Sequence, residues 1–409
     1  MSKEEQEFTN TLYTNDNLFI LNGLNSNLVD LIYLDPPFNT KKMYSAPVGS
    51  KAAGTSFKDM WTLADVNEAY LEILADKYPA IARFIGTIGK IHSKAMMSYL
   101  TYMVQRIIEM HRVLKDTGSF YLHCDPTASH YLKILLDDIF GKNNFRNEIS
   151  WCYTGPSGAK KNFPAKHDVI LRYSKSDEYI FNWKDIRIPY VRLETGKTHS
   201  IFKKSATLSN EGKIPEDYWY DIPSGGHISP KERTGYRTQK PLALLHRIIK
   251  ASSNEGDIVM DPFCGCATTC VAAQQFGRKW IGIDLEENAV RLLVERLSDE
   301  RGMFKDFINT NMIPQRTDVK IEGKSEDVRK RLYKEQKGRC NGCGNEYLIK
   351  DLTIDHIIPD TKGGGSYYEN YQLLCGHCNS IKGARPMEYL RNKIKVREKE
   401  LADKIIFGE

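Results

Sequence analysis

The stretch Val29-Asp30-Leu31-Ile32-Tyr33-Leu34, closed by Asp35-Pro36-Pro37-Phe38, constrains this chain more than any other. Six strand-like residues end on a carboxylate and two prolines. Proline has no N–H to give a sheet ladder, so the strand stops there and Asp35 lies at its C-terminal end. In open α/β sheets ligands bind at that edge. Other short apolar runs supply candidate strands: Leu18 to Leu21, Ser119 to His123, 148–153, 167–173, Ile258 to Met260 and Trp280 to Ile283. Helical spacing lies between them. From Trp61 to Leu114, Met96, Leu100, Met103, Ile107 and Met110 recur at steps of three and four. Further helices are expected from Tyr131 to Phe140 (closed by Gly141), from Lys240-Pro241 to Ala251, up to Phe276, and from Glu287. Alternating strands and helices predict an α/β fold with a parallel sheet.

At 409 residues the chain exceeds one ordinary core, so more than one domain is expected. Residues 180–237 lack clear periodicity and read as an irregular insertion. The polar stretch near 311–325 reads as a linker. Charge is uneven: 151–240 holds 16 Lys/Arg against 10 Asp/Glu and 312–409 holds 19 against 15, while the rest holds 23 against 27. Two basic segments on a slightly acidic remainder suit two polyanion-contacting parts. No apolar run approaches the ~20 residues of a membrane helix. The polar N-terminus does not resemble a signal peptide, so a cytoplasmic location is expected.

The loop Asp261-Pro262-Phe263-Cys264-Gly265-Cys266-Ala267-Thr268-Thr269 follows one expected strand and opens a helix. Small residues let a ligand approach the backbone, and a helix N-terminus offers free N–H groups. Asp284 ends the next strand, 19 residues after Gly265, where a carboxylate can accept hydrogen bonds from ribose hydroxyls. This pair alone also fits a nicotinamide dehydrogenase. The loop lacks three glycines for a pyrophosphate, which favours a nucleoside without phosphates.

With Asp35-Pro36-Pro37-Phe38 added, the set resembles the β-class amino-methyltransferases of DNA, across about residues 10–310. Asp16-Asn17, Gly118-Ser119-Phe120-Tyr121-Leu122-His123 and Thr238-Gln239-Lys240-Pro241 belong to the likeness. It implies a Rossmann-like domain that binds S-adenosylmethionine and acts on double-stranded DNA. Asp35 and a backbone carbonyl of Pro36-Pro37 would accept the N–H bonds of an exocyclic base amine, and Phe38 would stack on the flipped base. Asp16 would meet the cofactor adenine, Lys240 and Phe263 its methionine part, and Asp284 its ribose, with Asn17 a further cofactor-binding residue. Asp261 and Gly265 belong to the same loop. Aspartate at position 35, rather than serine, favours adenine over cytosine. Residues 180–237 correspond to target recognition. The family's loop usually reads Phe-x-Gly-x-Gly, and here Ala267 takes the last glycine's place. A helical backbone there tolerates alanine; a positive φ would weaken cofactor binding. His123 and Asp125 are expected at the same sheet edge, in contact with DNA or as structural groups. Relatives of this class are often dimers, so a homodimer is expected.

Near the C-terminus, Cys340-Asn341-Gly342-Cys343 and Cys375-Gly376-His377-Cys378 form two sulfur knuckles. Such spacing without a secretion signal reads as tetrahedral zinc before disulfide. Cys124, Cys152, Cys264, Cys266 and Cys270 read as buried packing thiols. With Asp355-His356, Gly363-Gly364-Gly365, Asn370, Asn379 and Lys382-Gly383, the segment resembles the HNH nuclease module, a small zinc-stapled ββα-metal fold. The likeness implies His356 as general base, Asn370 as its orienting group, and Asp355 and Asn379 as ligands of Mg²⁺. His377 is expected to be a bystander or a DNA contact. The expected organisation is a methyltransferase domain at 1–311, a linker at 312–325, an HNH-like zinc domain at 326–386 and a basic helical tail at 387–409. A bifunctional methyltransferase and nuclease of restriction–modification or phage defence leads. A modification enzyme whose zinc module only binds DNA follows, and a cofactor-sensing DNA-binding regulator is third.

Overall fold

The computed structural model describes residues 10–37, 42–45, 56–59, 74, 77–189, 212–236, 238–298, 307–385 and, beyond these, 387, 389–391, 393, 394 and 396. Phe38 and the middle of the expected recognition insertion, 190–211, lie outside the described residues.

The chain runs β1 (Thr11–Thr14), α1 (Asn17–Gly23), β2 (Val29–Leu34), β3 (Lys42–Ser45), β4 (Ser56–Asp59), α2 (Pro79–Ile91), α3 (Lys94–Val113), β5 (Leu114–Cys124), α4 (Pro126–Leu136), β6 (Phe145–Cys152), β7 (His167–Ser174) and β8 (Tyr218–Trp219). It continues through α5 (Leu242–Ser252), β9 (Ile258–Asp261), α6 (Thr268–Gln275), β10 (Lys279–Asp284), α7 (Asn288–Ser298) and β11 (Ile308–Thr310). Nine strands form one sheet in the order β11-β1-β10-β9-β2-β5-β7-β6-β8, and β3 pairs with β4 separately. The strands from β11 to β5 are parallel, and β7 runs antiparallel to β5 and β6. Successive strand residues face opposite sides. Ile32, Leu34, Phe120 and Leu122 pack under α3 on one face, and Leu31, Tyr33, Tyr121 and Val259 pack with α5 on the other. Both faces are covered, which explains why β2 reads as a continuous apolar run.

One expectation is corrected. Leu18 to Leu21 is helix, part of α1, and the strand role falls to Thr11–Thr14. The Asp16 carboxylate caps the helix by accepting the Leu18 N–H at 2.9 Å, so the apolar run is wound rather than extended. The helix expected at 131–140 also begins earlier, because Asp125 caps at Thr127 and Ala128 and Pro126 takes the first turn. No described helix is long and apolar enough to cross a membrane.

The C-terminal module holds α8 (Glu326–Glu335), the antiparallel pair β12 (Leu352–His356) and β13 (Tyr371–Cys375), and α9 (Gly376–Lys382). Residues 311–318, expected in a linker, are bound along α1. Asn15 donates to the Asn311 carbonyl at 2.8 Å, Asn25 accepts the Thr317 N–H at 2.7 Å, and Asp318 accepts the Ser26 N–H at 2.9 Å. Gly23 meets this strap so closely that a Cβ there would lie 1.9 Å from the Pro314 carbonyl oxygen. The module follows it in: Gly363, at φ +82°, would place a Cβ 2.4 Å from the Phe19 carbonyl oxygen, and Arg316 stacks on Tyr367 at 5.2 Å. The Asn15 and Asn25 side chains, which flank α1 and are unremarkable in sequence, and the Ser26 N–H supply the partners that hold the polar stretch down.

Candidate functional site

The parallel strands end together, so the residues just past β1, β2, β9 and β10 share one edge. Asp16, Asp35, Asp261 and Asp284 gather there from stretches up to 268 residues apart. Asp35 is held on one side by a cation. Lys240 donates to Asp35 Oδ2 in a short ion pair, and both side chains are largely enclosed. Oδ1 is buried and has no hydrogen-bond partner among the described residues. Lys240 is aimed by its neighbour: the Gln239 amide accepts from Thr234 N and Oγ1 and donates to the Glu232 carbonyl, which fixes the turn before α5.

A second knot joins Asp16 and Asn17 to the loop after β9. Asn17 donates to the Pro262 carbonyl at 2.7 Å. Arg106, from α3, donates to Asn17 Oδ1 at 2.6 Å and to Asp16 Oδ1 at 2.8 Å, and stacks 3.4 Å from the Tyr102 ring centre. Tyr102 in turn meets Phe263, with ring centres 6.4 Å apart. Helix spacing could have suggested that Tyr102 and Arg106 act together, since they are one turn apart; nothing local told that they face Asp16.

The loop itself is strained where a ligand would approach. Gly265 has φ +50°, and Ala267 has φ 56° and ψ 32°, the left-handed conformation. Alanine there costs roughly 1–2 kcal/mol, because its Cβ crowds the following carbonyl. Arg296 pins both sides by donating to the Cys266 carbonyl at 2.8 Å and to Thr268 Oγ1 at 2.9 Å. The Tyr236 ring lies against Gly265, 3.2 Å from where a Cβ would stand.

Asp261 accepts from the Phe263 N–H and from Thr269, yet burial beside Asp35 and Asp284 pushes its carboxyl up to about 7. Asp284 is pushed up to about 6, also by burial, although its oxygens accept from Gly265 N and Glu286 N. Added hydroxyl donors would relieve Asp284, the more accessible of the two, so the edge fits a neutral polyhydroxylated ligand portion. A layer below, the fully buried His123 joins Tyr33 at 2.9 Å and Asp168 at 3.1 Å, and Tyr153 donates to Asp168 at 3.1 Å. His123 is thereby closed off from the surface, and Asp125 caps α4.

In the C-terminal module the sulfurs of Cys340, Cys343, Cys375 and Cys378 all lie within 4.8 Å of one another. His356 ends β12, with Nε2 3.4 Å from Ser366 Oγ and 3.8 Å from Asp360. Burial holds its imidazole below the usual histidine range. Asn370 is buried and clips the loop after His356: it accepts from Ile358 N and donates to the Ile358 and Gly365 carbonyls. Asn379 donates to Thr353 Oγ1 at 3.0 Å. Asp355 Oδ2 receives both Gln372 and the ammonium of Lys382, the latter at 2.8 Å and only 1% exposed. A buried lysine on that carboxylate was not foreseen from sequence. The donor set still fits a hard cation that keeps its waters: one Asp355 oxygen carries neither bond, and the Asn379 carbonyl oxygen remains.

Comparison with known proteins places these two sites. Residues 340–385 match the HNH endonuclease family. The Type II methyltransferase M.EcaI of Enterobacter cloacae is 27% identical over 75% of this chain and 73% of its own length. The DNA adenine methyltransferase YhdJ of Escherichia coli K12 is 30% identical over 70% of this chain and 82% of its own. Among solved structures, the PvuII DNA methyltransferase (cytosine-N4-specific) superposes with TM-score 0.46 at 14% identity, over 75% of this chain and 96% of that one. Residues 29–295, which carry the Asp35 strand end, Lys240 and the Asp261 and Asp284 loops, match the DNA methylase family, so the chain belongs to the N6/N4 DNA methylases and bears a C-terminal HNH domain.

Proposed function

We propose that this chain transfers the methyl group of S-adenosylmethionine to the exocyclic amine of adenine at a specific site in double-stranded DNA. The observation that carries the reading is Asp35, with one oxygen tied to Lys240 and the other buried and unpartnered at the ligand-binding edge. An exocyclic amine is a poor nucleophile because its lone pair is delocalised into the ring. Asp35 Oδ1 and a carbonyl of Pro36-Pro37 accept its two N–H bonds, which draws the nitrogen toward tetrahedral geometry and frees the lone pair. Proline offers no competing N–H there. The cofactor supplies an electrophilic methyl on sulfonium. Asp16 and Asn17 would line the adenine end of its cleft and Phe263 and Lys240 the methionine end, with Gly265 as the floor; Asp261 supports the loop, and Asp284 would face the ribose. The amine nitrogen would take the methyl as the sulfonium–carbon bond breaks, its electron pair staying on sulfur as a neutral thioether, and the amine proton would pass toward Asp35. The relative named as an adenine methyltransferase supports adenine over cytosine. A cytoplasmic site of action fits such an activity.

The four thiolates hold a structural zinc, and the HNH domain cuts or nicks DNA, as in restriction–modification. His356 would abstract a proton from water, Asn370 fixes the loop beside it, and Asp355 and Asn379 would hold Mg²⁺, which would supply charge stabilisation at the leaving oxygen. A second reading, a module that only binds DNA, is favoured by Lys382 on Asp355, because an ammonium neutralises the carboxylate a metal needs. Plasmid DNA incubated with and without S-adenosylmethionine and Mg²⁺, scored separately for methyl incorporation and nicking, tests both. Asp35→Ala should remove methylation, by about 10²–10⁴-fold or more, and leave nicking; His356→Ala should do the reverse. Normal methylation by the Asp35 variant refutes the first assignment. Absence of nicking on unmethylated DNA carrying the target site selects the binding reading.

A further inference from the structure

We propose that the loop joining β6 to β7, residues 153–166, is a second DNA-contacting element, which inserts Phe163 beside the target base while Lys160 and Lys161 hold flanking phosphates. The inference rests on the methyltransferase reading and adds an element outside the expected recognition insertion.

Topology sets the place. β5 lies parallel to β2, with Leu34 opposite Leu122, so the residues after each reach the same edge. β7 runs back against β5, with Cys124 opposite Val169, and its first residues therefore lie at that edge too. The loop leaves the sheet beside Asp35. Its root is fixed from below: Tyr153 bonds Asp168, Asp168 bonds His123, and His123 bonds Tyr33, two residues before Asp35. The loop is thus anchored to the catalytic strand through a buried chain of side chains.

Above this root every residue from 154 to 165 is exposed, and the Phe163 side chain is 100% exposed. A single exposed apolar residue on a surface is ordinary and by itself means nothing. Here it coincides with Lys160, Lys161 and Lys166 and with no Asp or Glu anywhere in 153–166. Charge of one sign at the rim of a DNA-modifying site matches phosphates. An aromatic ring among such lysines matches a base stack, since side chains that enter a duplex stabilise it in the opened form. A base must leave the helix before Asp35 can reach its amine, and a ring that fills the vacated space lowers the cost of that opening.

The test uses the full chain and a duplex containing its target site, with 2-aminopurine at the target adenine as the opening probe. Phe163→Ala should lower methylation of the paired duplex about tenfold, the value of a stacking contact of ~1.4 kcal/mol. It should also reduce the fluorescence rise on binding. A duplex with an abasic position opposite the target should restore the variant to near wild-type rate, and Phe163→Trp should keep function. Lys160→Ala with Lys161→Ala should instead weaken binding on every sequence and reduce the salt slope by about 2. Equal effects of Phe163→Ala on paired and abasic duplexes, or no effect on either, would overturn the wedge. A wild-type chain that methylates no DNA overturns the underlying methyltransferase reading instead, which the fluorescence measurement distinguishes.

Discussion

The transferase and the HNH module solve the problem of a stable site in opposite ways. The transferase spreads apolar side chains over both faces of a wide sheet and sets its polar residues at one edge, where they are held by other side chains. The module has a small core. Among the described residues, Cys340, Cys375 and Cys378 are themselves core residues, packed with Val328, Leu332, Leu352, Leu373 and Leu374. Its core residues and its candidate metal ligands are the same side chains, whereas the transferase can lose a site residue and keep its core. Small domains need such a staple because they bury too little surface.

The sharpest break between the two is therefore metal removal. Chelation should unfold the module wholly, since structural zinc contributes about 10–16 kcal/mol of apparent binding energy, while methyl transfer persists. Hydrogen exchange that loosens β12 and β13 and spares β2 and β9 would bear this out; loss of methylation together with the metal would show that the docked strap makes the two one folding unit. Next comes Asp355→Ala. It leaves the Lys382 ammonium buried without its partner, so the module should lose about 3–5 kcal/mol, and unfolding measured by denaturant should separate this loss from any loss of cleavage. An unchanged midpoint would make Asp355 a purely functional group.

Smaller effects sharpen the transferase side. Asp284→Ala should weaken S-adenosylmethionine binding by roughly 1.5–3 kcal/mol, the value of hydrogen bonds to a charged group. The wild type carries a pH signature of the same contact. Ribose hydroxyls would donate to the ionised carboxylate, and in the free protein that carboxyl is pushed up to about 6 by burial. Binding should strengthen as pH rises through about 6 and should release protons, detectable by calorimetry in buffers of different ionisation enthalpy. Stability of the free protein has the opposite sign. Asp261, at about 7, and Asp284 both lie above the ~4 of an unfolded carboxyl, so the folded chain holds extra protons and loses that contribution as pH climbs from about 4 to about 7. The smallest effect is Ala267→Gly, which should stabilise the loop by about 1 kcal/mol and tighten the cofactor. Weaker binding in that variant would mean that stiffness at Ala267, not strain, is what the site uses.

Much of this was legible in the chain because the signals were local. A double proline ends a strand wherever it falls, so the end of β2 and the place of Asp35 could be read from ten residues. The spacing of the cysteine knuckles by itself predicts that four sulfurs converge, as they do, and the left-handed alternative at Ala267 could be stated in advance because backbone conformation is limited by sterics. Where a local signal misled, at Leu18 to Leu21, the cap two residues earlier outweighed the apolar pattern. The tertiary structure alone decided which groups meet. Lys240 falls on Asp35 across 205 residues, Arg106 on Asp16 across 90, and Lys382 on Asp355. It also turned an apparent linker into a bound strap. Long-range polar pairing leaves no periodic trace in sequence, since one hydrogen bond between distant residues needs only that two chain ends arrive at the same edge, and arrival is set by how the whole sheet is wound.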